Sequence, residues 1–171
     1  MSLDIKTAAE LVDGELEARW ADRRQGPEAE VLRWVLRAFV ESGGPVPVSA
    51  VESAFPAWPP GAVRDRLATL DEEDLLLVED GEIPVAYPFS ARPTAFAVTL
   101  TDNRARFACC ATDALGIAAM LGACILIRSR CHHCGQPIDL AADATGPLDA
   151  AEVMVWVGKR EESERRACTG L

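Results

Sequence analysis

The apolar residues of this chain change their period once, near residue 70, and that change limits the folds open to it. Before that point they recur at three- and four-residue spacing, the repeat of amphipathic helices. Ile5, Ala8, Leu11, Val12, Leu16 and Trp20 mark a helix over 4–22. Val31, Leu32, Val35, Leu36 and Phe39 mark a second, from Pro27, a residue suited to a first helical turn, to about Ser42, where Gly43-Gly44-Pro45 stops it. Ser49 is the expected cap of a short helix through Phe55, and Pro59-Pro60-Gly61 opens another through about Leu70. Beyond it, Leu75-Leu76-Leu77-Val78 and residues 83–87 flank Asp80-Gly81, the signature of a β-hairpin. The last three of these helices, followed by the hairpin, predict a three-helix winged-helix-like N-terminal domain over 1–88.

Residues 88–93, bounded by Pro88 and Pro93, read as a linker into a second domain over 89–171. There, 95–100 and 104–109 are strand candidates joined by a turn at Asp102-Asn103. Residues 111–123, small and alanine-rich, read as a buried helix; 124–130, 137–142 and 152–157 complete a small, mostly antiparallel sheet. The expected class is therefore α+β.

The 171 residues are 49% apolar, enough for a packed core, and carry a formal net charge of −10. That balance argues against nucleic acid, whose phosphates require a cationic surface. No apolar run approaches the about 18 residues of a membrane span, and the first residues lack the basic-then-apolar order of an export signal. A cytoplasmic protein with reduced thiols is the expectation. Trp20, Trp34, Trp58 and Trp156 read as packing residues, and Asp71-Glu72-Glu73-Asp74 and 159–166 as solvated charged stretches.

Six cysteines then carry the chemistry. Cys109-Cys110 precede Ala111-Thr112-Asp113; Cys131-His132-His133-Cys134 follow; Cys124 lies between the clusters and Cys168 near the end. Cys110 falls where a strand runs into the first turn of a helix, where amide groups and the helix dipole lower a thiol pKa. Asp113, three residues on, is placed beside that sulfur by helical geometry. A thiolate and an acid at that spacing can hold a soft electrophile and move a proton at one centre. The alternative is a small buried Cys110 with Asp113 as an ordinary helix-start acid. Cys131-x2-Cys134 has the spacing of half a structural zinc site, with His132 or His133 as a further ligand. The chain offers no second such half, so zinc there would need Cys109, Cys110 or Cys168 to complete it.

The run Arg106-Phe107-Ala108-Cys109-Cys110-Ala111-Thr112-Asp113-Ala114-Leu115 resembles the alkylmercury (organomercurial) lyase family. Asp80-Gly81-Glu82-Ile83 and residues 96–100 before it, and Ser129-Arg130-Cys131 and Gly135-Gln136-Pro137 after it, extend the resemblance. It implies cleavage of carbon–mercury bonds by protonolysis, with release of hydrocarbon and Hg(II). It assigns Cys110 and Asp113 as catalytic residues and substrate-mercury ligands, Cys168 as the second catalytic thiolate, and Cys131 as structural. It implies no organic cofactor; Hg(II) remains as bound product until cellular thiols or a mercury-accepting reductase take it. Cys109, where a bulky side chain is expected, and the additional Cys134 depart from the family pattern. A non-catalytic trap, sensor or chaperone for heavy metals on the same fold is the alternative.

Overall fold

A computed structural model describes residues 5–11, 14, 18, 21, 25–26 and 28–155. The expected helix over 4–22 falls largely outside them; within it a short 3-10 turn spans Ala8–Leu11. The architecture is α+β, with four α-helices among the described residues and an antiparallel sheet.

Helix α1, Glu28–Ser42, buries Ala29, Val31, Val35 and Phe39, the stripe its periodicity predicts. It ends at Gly43, whose φ of +71° is a left-handed value that an L side chain adopts only with strain. Helix α2, Val48–Ala54, starts from Pro47 with no side-chain cap, so the expectation that Ser49 caps it is corrected: Ser49 lies inside the helix and accepts the Ser53 hydroxyl at its carbonyl. Helix α3, Ala62–Glu72, packs Val63, Leu67 and Leu70 inward.

Strands β1 (Val46–Pro47), β2 (Leu76–Glu79) and β3 (Glu82–Ala86) follow the predicted hairpin turn at Asp80-Gly81. Its register slips between Leu77 and Glu79, opposite Pro84, which has no N–H to give the ladder. The expected linker is instead bridged by strand β4, Phe89–Ser90, paired to β3 on one side and to β6 on the other. Strands β5 (Phe96–Thr99), β6 (Ala105–Ala108), β7 (Ile125–Arg130), β8 (Pro137–Asp143) and β9 (Gly146–Leu148) continue a nine-stranded sheet in which the order β3-β4-β6-β5-β7-β8-β9 is unbroken. Residues 152–155, assigned from sequence to a last strand, form none; β9 takes that edge, and 156–157 lie outside the described residues.

Helix α4, Ala111–Leu121, packs across β5 to β9. The helix expected to be buried is buried along one face (Ala114, Ile117 and Ala118), whereas Met120 is exposed. One hydrophobic cluster runs from Val31 and Phe39 in α1 through Phe89 and Val98 to Ile117, Ile125 and Ala142. Phe39 stacks on Phe89 with ring centroids 6.2 Å apart, joining the helical layer to β4. Trp34 and Trp58 pack against this core as expected; Trp20 and Trp156 lie outside the described residues.

A second tie joins the same layers. The β6 residue Arg106 is buried, and its guanidinium grips the end of α1. Nε donates to the carbonyls of Phe39 at 2.8 Å and Val40 at 3.0 Å. Nη2 donates to Glu41 O at 2.9 Å and also to Val40 O. These carbonyls belong to the last helical turn: Phe39 O also accepts the Gly43 N–H at 2.9 Å, Glu41 O also accepts Arg104 Nη1 at 2.8 Å, and the cation meets the negative end of the helix dipole. A Cβ at Gly43 would stand 2.8 Å from Arg106 Nη1, so the absent side chain there leaves room for the guanidinium.

Candidate active site

The β6–α4 junction forms one corner. Strand β6 ends at Ala108, paired to Phe89 on one side and Phe96 on the other. The Thr94 hydroxyl donates to Ala108 O at 2.5 Å, and the Cys109 N–H donates to Pro88 O at 3.0 Å. With the strand end fixed, Cys110 takes extended backbone angles, φ −147° and ψ −179°, and becomes the N-cap of α4. Its Sγ accepts the Asp113 N–H at 3.4 Å, and its carbonyl accepts the Ala114 N–H at 2.9 Å. Sulfur thus occupies the place where Ser or Asp normally caps a helix.

Cys109 and Cys110 face different surroundings. Cys109 is buried, with 1% of its surface exposed, and packs as a small apolar residue, whereas Cys110 is half-buried. The Cys110 thiol and the Asp113 carboxyl are hydrogen-bonded, as the three-residue spacing predicts.

The direction of the Cys110 titration is the reverse of the expectation. Burial pushes its pKa up, and the Asp113 carboxylate, accepting the thiol hydrogen and repelling a thiolate, adds to that. The amide N–H groups of Asp113 and Thr112 pull the other way and lose. A lone helix N-terminus lowers a thiol pKa; one with a carboxylate beside the sulfur and partial burial does not. Cys110 is therefore a thiol whose proton already points at an acceptor. In Asp113→Asn the carboxylate's share of the rise disappears, so the pH midpoint for iodoacetamide alkylation of Cys110 is expected to move down. A midpoint that stays put or rises would show that burial alone sets it.

The other cysteine pair caps the β7–β8 connection. Cys131 is half-buried and Cys134 exposed. The N–H groups of Cys134 and His133 reach the Cys131 sulfur, and with a hydrogen bond from the Cys134 side chain they hold its pKa below the usual thiol range. His132 and His133 are exposed, and no cluster of three metal-ligating side chains occurs among the described residues. The loop presents half of a zinc site.

The sheet register relates the two corners. Ala97 of β5 pairs with Phe107 of β6 on one side and Arg128 of β7 on the other. Both neighbours run antiparallel to β5, hence parallel to each other, and leave the sheet at the same end. Cys110 and Cys131 each lie three residues beyond that shared rung, on strands two spacings, about 10 Å, apart. Cys124 is exposed at the opposite end of β7, and Cys168 lies outside the described residues. The Arg106 clamp was not anticipated, although a lone charge among apolar residues in a short strand is the signal that could have found it.

This α+β arrangement is shared with a solved structure. The crystal structure of the mercury-bound form of MerB2 superposes with a TM-score of 0.62 over 73% of this chain and 60% of that one, at 24% identity. Residues 89–170, from the first residue of β4 onward, match the family model for alkylmercury lyase. A curated alkylmercury lyase of Staphylococcus epidermidis is 30% identical over 119 residues, 68% of this chain. Residues 89–170 thus carry an alkylmercury lyase family domain. The chain spans about half, 53%, of the length of that curated relative.

Proposed function

We propose that the protein is an organomercurial lyase that cleaves carbon–mercury bonds by protonolysis, releasing hydrocarbon and Hg(II). The observation that carries this reading is the hydrogen-bonded Cys110–Asp113 pair at the head of α4. Soft mercury prefers sulfur over oxygen and nitrogen. When the Cys110 sulfur attacks the metal of an organomercurial, its proton passes to Asp113 as the sulfur–mercury bond forms. Cys168 supplies the second thiolate, and two sulfurs push electron density onto the mercury-bound carbon. That carbon takes the proton back from Asp113; the carbon–mercury electron pair becomes the carbon–hydrogen bond, and the hydrocarbon leaves. Mercury keeps its oxidation state throughout, so no redox or organic cofactor is needed, and Hg(II) rests between the two sulfurs until cellular thiols or a reductase accept it.

A metal trap needs sulfur but no carboxyl group receiving a thiol proton, so Asp113 favours the lyase. In this reading residues 89–171 hold the chemistry, and the helices and hairpin of 28–86 form a winged-helix-like buttress in a cytoplasmic protein. The test is direct. Reduced protein, phenylmercury and excess thiol are expected to release benzene, measured in the headspace, and Cys110→Ser to bring release to background. Cys168→Ser at the wild-type rate would remove Cys168 from the scheme. Stoichiometric mercury uptake without benzene would sink the lyase reading altogether.

A further inference from the structure

We propose that the Cys131–Cys134 hairpin is a second metal site, a two-thiolate clasp for a soft d10 cation, with Hg(II) as its occupant. The turn holds its shape through main-chain bonds at its base. The Cys131 N–H donates to Gln136 O and the Gly135 N–H to Cys131 O, both at 2.8 Å. Arg130 Nη1 reaches Gly135 O at 3.3 Å. Gly135 sits at φ +71°, which lets the chain reverse immediately after Cys134.

The two thiols are hydrogen-bonded to each other, and the N–H groups of His133 and Cys134 converge on the Cys131 sulfur. Two cysteines held on one tight turn, with amide N–H groups directed at the Cys131 sulfur, form a built pair. Cys124, by contrast, is an isolated exposed thiol. The identity of the cation follows from the count of donors. Zinc in a structural site requires four, and no third ligand joins this pair among the described residues. A large, polarisable d10 ion is satisfied by two thiolates. Binding is then Hg(II) plus two thiols giving the dithiolate and two protons, with no change of oxidation state.

The clasp opens at the same sheet end as Cys110, two strand spacings away, so an ion leaving one corner meets a thiol pair tethered at high effective concentration. Binding itself does not rest on the lyase reading, and the test uses the inorganic ion. Cys110→Ser protein, which lacks the first corner, is loaded with Hg(II) and filtered in excess monothiol. It is expected to retain an equivalent of mercury that Cys110→Ser/Cys134→Ser does not. Because Cys134 is exposed, its replacement leaves the core intact, and circular dichroism of the double variant checks the fold. Equal retention by both proteins overturns the proposal. So does Zn(II) that survives a chelator in Cys110→Ser and is lost with Cys134, since that would mean a four-ligand site.

Discussion

Asp113→Asn is expected to lower hydrocarbon release by roughly 10²–10⁴-fold, the span for loss of a positioned proton donor, while mercury uptake persists. Asparagine keeps the size of the side chain and can still accept from the Cys110 thiol, but it can neither take that proton nor return it to carbon. Asp113 is half-buried in the first turn of α4, and its own N–H caps the sulfur, a main-chain contact that the substitution leaves in place. The variant should therefore behave as the trap the wild type is not: stoichiometric binding of phenylmercury with benzene formation close to the thiol-only background. Single-turnover measurement of bound mercury against released benzene separates the two steps. Turnover within a few-fold of wild type would assign the proton to another group.

Arg106→Leu is expected to cost about 3 kcal/mol of stability, corresponding to a fall of roughly 6–12 °C in Tm for a chain of this size. Leucine fills part of the volume but takes both guanidinium donors from the half-buried Val40 carbonyl and one each from those of Phe39 and Glu41, which keep the Gly43 N–H and Arg104 Nη1. Arg106→Lys should recover only part of the loss, because one ammonium cannot fan its donors across three carbonyls as a guanidinium does. Thermal unfolding followed by circular dichroism reads both variants, and a Leu variant within 1 °C of wild type would show that water serves those carbonyls as well.

Much of this was legible in the residues, and the failures have particular causes. Helix α1 was readable because its buried face repeats over four turns and Gly43 ends it. The hairpin at Asp80-Gly81 and the pairing of Cys110 with Asp113 were readable because each depends on local geometry alone. Strand β4 was not: two residues between prolines show no period, and what makes Phe89–Ser90 a strand is partners on either side, distant in sequence. Strand β9 begins with Gly146-Pro147, a pair that reads as a turn until β8 is beside it. The titration of Cys110 was misjudged in direction because capping is local, whereas burial is a property of the whole packed layer. Arg106 stood in the quoted motif, but its acceptors are more than sixty residues away.

The clasp of Arg106 on α1 addresses main-chain oxygens and ignores side-chain identity. Substitution along the C-terminal turn of α1 can drift without disturbing it, provided Phe39 still stacks. A one-residue insertion or deletion in that helix is another matter, since it turns every following carbonyl by about 100° around the axis. Homologous chains should therefore vary freely in composition at this helix end while its length from the Phe39 position to the terminal glycine stays constant.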